Sequence, residues 1–144
     1  MSTLNEILEQ WSNDSEVDKT DISTAASTVS KLHSKYLNYL LEHKGKILKN
    51  DYDYKKMRRL KWEYYSGKMS QEQLEKYGWE PFQLKLKADL PLYMESDENL
   101  IAIQEKINYH EEVKSATESI IKTIHNRNFE IKNFIEWEKY LGGH

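Results

Sequence analysis

Residues 52–67 read YDYKKMRRLKWEYYSG, and no other segment of this sequence mixes cations and aromatic rings so densely. Apolar side chains recur in it every three or four residues, which is the spacing of one helix face: Met57, Leu60, Tyr64. The opposite face carries three cations and an indole: Lys55, Arg58, Arg59, Trp62. Lys61 lies on the flank, next to the apolar stripe. The pattern predicts a helix over 52–65 that turns Trp62 away from its buried side.

The outward face of this helix has the chemistry of a nucleic-acid surface. Cations attract phosphate, and flat aromatic side chains stack on unpaired bases. We therefore predict contact with single-stranded nucleic acid through six side chains: Lys55, Lys56, Arg58, Arg59, Lys61, Trp62. The plain alternative is a solvated basic face with the indole covered by a neighbouring helix. Two further alternatives are a helical scaffold that docks its basic face on an acidic protein and a helix that attaches to a membrane surface.

Charge is distributed unevenly along the 144 residues. The whole chain has 21 basic and 24 acidic residues, a formal net charge of −3. Residues 44–61 nevertheless carry eight bases and two acids, whereas residues 1–18 carry five acids and no base. Binding to a polyanion should therefore be local and sensitive to salt.

Length and composition limit the class of protein. The length is that of a single domain over 1–144. The absence of cysteine excludes disulfides and thiolate sites, and it is consistent with a reducing cytosol. No apolar run approaches the length of a membrane span, and the acidic start is unlike a signal peptide, so we expect no membrane association.

Hydrophobic periodicity predicts an all-α fold, a bundle of long helices over about 20–44, 46–66 and 97–141. The first long helix has an apolar stripe that steps by threes and fours, with cap residues available at its start: Thr20, Asp21, Ser23. Gly45 is expected to break or bend this helix before the second one begins. A glycine inside a helix costs about 1 kcal/mol relative to alanine.

The segment after the basic helix contains several residues that end or begin helices. Gly67 is placed to cap the helix C-terminus, and Ser70 with Gln73 resembles a capping box for a short helix ending at Gly78. Residues 79–96 contain two prolines and are predicted to form a short extended connector. Residues 83–88 in it alternate polar and apolar side chains, as a short strand does.

The acidic N-terminal segment, residues 1–18, has two parts. Residues 1–11 are predicted to form a short amphipathic helix with Leu4, Ile7, Leu8 and Trp11 on one side. Residues 12–18 are polar and acidic and are predicted to form a linker. This linker is either simply disordered or a tether to a basic partner.

The C-terminal helix, 97–141, contains neither glycine nor proline and becomes apolar on two sides near its end. A helix of this kind must bury both sides. The second side is formed by Phe129, Trp137 and Tyr140, and we predict that it meets another copy of the chain. The predicted oligomerisation residues come from both sides of the helix: Ile124, Phe129, Ile131, Phe134, Ile135, Trp137, Leu141. The alternative is that the N-terminal helix, with Trp11, folds back over the second side.

Motifs of common enzyme and metal sites are missing from the sequence. Gly45-Lys46 stands without the rest of a P-loop, and there is no GxSxG or HExxH motif. None of the five histidines follows a glutamate by three residues, as the di-iron helix motif requires. We therefore predict a protein that is not an enzyme and that uses no cofactor and no metal.

Three stretches resemble one protein family. The run R-x-K-x-E-YYSG, from Arg59 to Gly67, is similar to the hallmark of UvsY-type recombination mediators of large tailed phages. Residues 120–143, IIKTIHNRNFEIKNFIEWEKYLGG, resemble the C-terminal helix of that family, and residues 22–44 resemble an earlier helix. At Arg59 and Lys61 the order is arginine then lysine, whereas the family pattern is lysine then arginine.

The resemblance implies a function. It implies a mediator that helps load a RecA-type recombinase onto single-stranded DNA covered by single-strand-binding protein, contacting all three and hydrolysing no ATP. It implies a ring of six or seven subunits assembled through the C-terminal helix, acting in the cytoplasm of the infected bacterial host. In this scheme 20–67 is the helical DNA-binding part, with Arg59 and Lys61 as its key basic pair, and 97–141 is the oligomerisation helix.

Overall fold

The computed structural model describes residues 1–16 and 22–143, and in these residues it contains helices and no strand. Within these described ranges five α-helices follow one another: α1 Leu4–Asp14, α2 Ile22–Tyr65, α3 Gln71–Tyr77, α4 Leu90–Glu95, α5 Glu98–Gly142. A 3₁₀ turn, Lys87–Asp89, precedes α4. The predicted all-α fold with its long helices is confirmed.

The predicted break at Gly45 is absent, because α2 is one helix of 44 residues. A Cβ atom added at Gly45 would meet no atom within 4 Å, so no close approach requires glycine at this position. The cost of one glycine, about 1 kcal/mol, is small against the packing of a long amphipathic face. Of the three predicted cap residues, Thr20 and Asp21 lie outside the described residues, and Ser23 lies inside α2 and does not cap it.

The prediction of an extended connector over residues 79–96 is also wrong. Residues 79–96 contain the 3₁₀ turn and α4, and the strand expected over 83–88 is not formed. Pro91 lies in the first turn of α4, where the lack of a backbone N–H costs nothing because an N–H at that position has no partner inside the helix.

At the N-terminus, α1 continues to Asp14, so it includes the first residues of the predicted linker. Positions 17 and 18 of that linker lie outside the described residues.

The predicted helix ends are confirmed. Ser70 and Gln73 form a reciprocal capping box at the start of α3. Gly67 and Gly78 have φ of +72° and +69° and close α2 and α3 in the left-handed conformation that favours glycine. After α2, the amide of Lys68 donates to the Glu63 carbonyl at 2.9 Å, which completes a Schellman motif.

The chain divides into two compact units, Met1–Gly45 with His110–His144 and Lys46–Tyr109. Both α2 and α5 contribute residues to each unit, and the single domain over 1–144 stays a prediction. In the first unit, three helices supply one apolar core: Ile7 of α1, Val29 and Tyr36 of α2, Val113, Ile120, Ile124 and Ile131 of α5.

In the first unit the end of α1 is fixed to α5 by Arg127. Its guanidinium donates to the backbone carbonyls of Asp14 and Ser15 at 3.2 and 2.7 Å and lies 5.4 Å from the centre of the Trp11 ring. A cation at the carbonyl end of a helix is favoured by the helix dipole. The N-terminal helix therefore packs against α5 at Arg127, but it does not cover the second apolar side of that helix, because Phe129, Trp137 and Tyr140 are exposed.

Candidate nucleic-acid interface

The last turns of α2 present the predicted basic face in the second unit. Met57, Leu60 and Tyr64 are half-buried, whereas four cations of the same segment are exposed: Lys55, Lys56, Arg58, Arg59. The side chain of Arg59 is 83% exposed. The helical periodicity of the sequence therefore places these side chains correctly.

Trp62 is exposed on this face, with 41% of its surface accessible. One side of its indole borders a hollow whose α2 wall is made of Tyr54, Lys55, Arg58 and Arg59. The facing wall comes from α4 and the first turn of α5: Leu90, Pro91, Met94, Glu95, Leu100. This first hollow thus has three cations from α2 beside the indole, together with the single carboxylate of Glu95.

A second hollow borders Trp62 and is lined by the turn after α2 and by the connector: Ser66, Gly67, Lys68, Pro81, Phe82, Gln83, Leu84, Lys87, Leu90. Lys68 and Lys87 are both exposed. The Lys68 ammonium lies 4.3 Å from the centre of the Trp62 ring, within the range of a cation–π interaction. The indole therefore borders two hollows that are each lined by cations, and we call the two hollows and Trp62 together the Trp62 groove.

The cations of the groove are held only loosely by carboxylates. Lys55 pairs with Asp51 at 3.1 Å and Arg59 with Glu63 at 3.4 Å, each one helical turn apart, and both cationic side chains are largely exposed. Exposed pairs of this kind contribute about 0–1 kcal/mol, so a phosphate can replace the carboxylate at little cost. Lys56 lines neither hollow; its ammonium lies 4.6 Å from the centre of the Tyr52 ring.

Lys61 is placed differently from the other predicted contacts. Its side chain is 7% exposed, and its ammonium pairs with the carboxylate of Asp97 at 3.2 Å. The same ammonium lies 3.8 Å from the centre of the Trp79 ring. The sequence placed Lys61 on the flank of the helix next to the apolar stripe and predicted that it contacts nucleic acid, whereas the structure buries its side chain among the aromatic residues of the second unit.

Asp97 joins several groups at the start of α5. Tyr65 donates its hydroxyl to Asp97 at 2.5 Å, and the Leu100 amide donates to the other carboxylate oxygen at 3.0 Å. Burial alone would raise the pKa of Asp97, but these hydrogen bonds and the Lys61 ammonium hold that pKa below its ordinary value. Burial and the bond to Asp97 raise the pKa of Tyr65, so its hydroxyl stays protonated and can donate.

Aromatic rings pack the connector onto the end of α2. Tyr64 donates its hydroxyl to the Glu80 carbonyl at 2.6 Å, and its ring centre lies 5.2 Å from that of Trp79. Phe82 meets the Tyr65 ring edge-on at 5.0 Å. The segment that forms one wall of the Trp62 groove is thus attached to α2 through half-buried aromatic side chains.

The predicted oligomerisation set is divided between two environments in the first unit. Ile124 and Ile131 are buried in the core of the subunit. Five members are exposed instead: Phe129, Phe134, Ile135, Trp137, Leu141. Tyr140 is exposed beside them, with its ring stacked on Trp137 at 5.7 Å. We call these six side chains the C-terminal apolar patch.

The groove includes two cations that the sequence did not single out, Lys68 and Lys87. They lie outside the helical run, so helical periodicity carries no information about where they point. Across residues 1–16 and 22–143, no three histidine, aspartate or glutamate side chains converge as a metal site would require. Within that same part of the chain, no helix combines the length and apolarity needed to cross a membrane.

Comparison with known proteins gives one family. The family model described as "Recombination, repair and ssDNA binding protein UvsY" matches residues 10–144. No curated protein sequence matches the chain. A crystal structure of the bacteriophage T4 recombination mediator protein UvsY, lattice type II, superimposes with a TM-score of 0.83 at 19% identity, covering 99% of both chains.

Lattice types IV and I of the same T4 protein give TM-scores of 0.79 and 0.78, also at 19% identity. They cover 96% and 92% of this chain and 98% and 96% of the T4 chains. At 19% identity these superpositions establish the fold alone. Membership of the family is established by the family model, which matches residues 10–144. The chain belongs to the UvsY family of recombination, repair and single-stranded-DNA-binding proteins.

Proposed function

We propose that this protein is a recombination mediator that binds single-stranded DNA in the Trp62 groove. The observation that carries the proposal is an exposed indole that borders two hollows, one lined by the cations Lys55, Arg58 and Arg59 and the other by Lys68 and Lys87. A base stacked on Trp62 would place the flanking phosphates near cations in both directions. Stacking and phosphate contact tolerate every base, so we expect little sequence preference.

The contact set that we propose differs from the one predicted from sequence. Arg58, Arg59, Lys55 and Trp62 keep their role, and Lys68 and Lys87 join them. Lys56 remains a flanking candidate outside both hollows. Lys61 is not proposed as a phosphate contact, because its ammonium is already paired with Asp97 away from the surface.

We further propose that the protein acts as a ring of six or seven subunits that meet through the C-terminal apolar patch. Exposed aromatic and aliphatic side chains clustered on one helix end are typical of an interface with another protein. One groove offers few phosphate contacts and therefore limited affinity. Several grooves acting on one strand can exceed the affinity of one groove by roughly 10²–10⁴.

The proposed partners follow from membership of the family. A multivalent ring that holds bare DNA can displace single-strand-binding protein and present the strand to a RecA-type recombinase. This step needs an exchange of binding surfaces and no bond cleavage in the DNA or in ATP. We place it in the cytoplasm of the infected bacterial host, where phage DNA is recombined.

The salt dependence of DNA binding tests this proposal. The affinity for a fluorescent oligothymidylate is measured between low and moderate salt for the wild type, for Arg59→Ala and for Lys68→Ala. Each substitution should weaken binding and reduce the slope of log K against log salt by about 0.7 for each subunit that contacts the strand. Lys106→Ala is the matched control, because Lys106 is exposed in the same unit and lines neither hollow.

Two results would overturn the proposal. One is equal slopes for all four proteins, which would mean that the groove cations contact no phosphate. The other is a wild type that does not bind the oligonucleotide at low salt. A wild type that binds an acidic protein but not DNA would instead support the scaffold alternative.

A further inference from the structure

We propose that Lys61 is a positioning residue, whose buried ammonium clamps the two ends of segment 79–97 and so holds one wall of the Trp62 groove in place. The inference rests on the proposed function of that groove, and it gives Lys61 a different task from its neighbour Arg59. The two residues stand two positions apart in the sequence, yet their side chains are 7% and 83% exposed.

One ammonium group contacts both ends of the segment. Trp79 is its first residue, and the centre of its ring lies 3.8 Å from the Lys61 nitrogen. Asp97 is its last residue, and its carboxylate lies 3.2 Å from the same nitrogen. Asp97 in turn accepts the Tyr65 hydroxyl and the Leu100 amide, so the clamp joins α2, the connector and the start of α5.

The clamped segment supplies the wall that faces α2. Phe82, Leu84 and Lys87 line the second hollow, and Pro91 and Met94 line the first. None of these side chains belongs to the basic helix, so their distance from Trp62 depends on how the segment is attached. The clamp therefore determines whether the indole has a facing wall on either side.

A direct phosphate contact by Lys61 would conflict with this arrangement. If its ammonium swung out to the surface, Asp97 would stay charged and buried without its cation, which is strongly unfavourable. Arg59 has no such constraint, since its own side chain is 83% exposed and that of its carboxylate partner Glu63 is only half-buried on the same helix. In this proposal Arg59 binds phosphate, and Lys61 positions the facing wall of the groove.

Substituting Asp97 separates the two roles by the sign of the effect. If Lys61 contacted phosphate, Asp97→Asn would release its ammonium and strengthen DNA binding. If Lys61 positions the segment, Asp97→Asn weakens binding by about tenfold, the worth of roughly one stacked base. The asparagine oxygen can still accept the Leu100 amide, so this variant keeps the helix cap.

The double variant Lys61→Met with Asp97→Asn provides the rescue. It replaces the ion pair with an uncharged pair, and the asparagine amide can donate to the Tyr65 hydroxyl. A positioning role predicts affinity and salt slope close to those of the wild type. Affinity that stays low, with the slope reduced by about 0.7 per contacting subunit, would show a direct phosphate contact and overturn the proposal.

Amide hydrogen exchange tests the clamp without DNA. The Ser96 and Asp97 amides donate to carbonyls within the segment, and they should lose protection in Asp97→Asn and regain it in the double variant. Protection equal in all three proteins would contradict the clamp. A wild type that fails to bind oligonucleotide would instead contradict the proposed function, and the exchange pattern would still decide whether the clamp exists.

Discussion

Replacing Trp62 with alanine is the perturbation that removes the stacking surface and leaves every groove cation in place. Base–aromatic stacking contributes about 1–3 kcal/mol per base in single-strand-binding proteins. At 1.4 kcal/mol for each tenfold change, Trp62→Ala should weaken oligothymidylate binding by roughly 5- to 150-fold. The slope of log K against log salt should stay unchanged, because no cation is lost.

Tyr52→Ala is the matched control for Trp62→Ala. Tyr52 is an exposed aromatic residue of the same helix, and it lines neither hollow. The assay is fluorescence anisotropy of a labelled oligonucleotide, with circular dichroism to confirm that both variants are helical. The stacking argument is refuted if Trp62→Ala binds within twofold of the wild type, or if Tyr52→Ala loses as much affinity as Trp62→Ala.

Three further predictions concern stability, pH and assembly. Gly45→Ala should raise the free energy of unfolding in urea by about 0.5–1 kcal/mol, because alanine favours the continuous helix and its Cβ meets no atom within 4 Å. An unchanged free energy of unfolding would mean that α2 bends at this residue in solution. The pKa of Asp97 is lower in the folded protein than its ordinary 3.8, so its contribution to stability is complete above about pH 4 and is lost as pH falls through the folded value. Asp97→Asn should remove that part of the acid dependence of unfolding, and an unchanged dependence would exclude this carboxylate as a source. Trp137→Ala combined with Leu141→Ala should lower the particle mass in sedimentation equilibrium with little change in helicity, since both side chains are exposed in the subunit. An unchanged particle mass would show that the C-terminal apolar patch is not an interface between subunits.

Much of the basic face could be predicted from sequence because one rule governs it. Once Met57, Leu60 and Tyr64 face the core, the geometry of the α-helix turns Arg59 and Trp62 outward. Similar reasoning predicted the apolar stripe of the first long helix, where Val29, Tyr36 and Leu40 of α2 are buried. Local cap signals were equally informative, since Gly67 and Ser70 act on neighbouring backbone groups only.

Other features could not be predicted because they depend on residues far apart in the sequence. Lys61 is buried by Asp97, 36 positions later, and helical periodicity gives no sign of that partner. Lys68 and Lys87 reach the groove from a turn and a connector, for which no periodic rule exists. The alternation over 83–88 was too short to distinguish a strand from an irregular segment, and the propensity of Gly45 was too weak to interrupt a long packed helix.

Photochemical cross-linking of DNA to the protein tests the central claim most directly. An oligothymidylate carrying 5-iodouracil is irradiated in complex with the wild-type protein, and the adducts are located by mass spectrometry after digestion with trypsin. Stacking in the Trp62 groove predicts an adduct at Trp62, within the tryptic peptide of residues 62–68. Adducts found only outside the groove, for example in the C-terminal half of α5, would contradict the account.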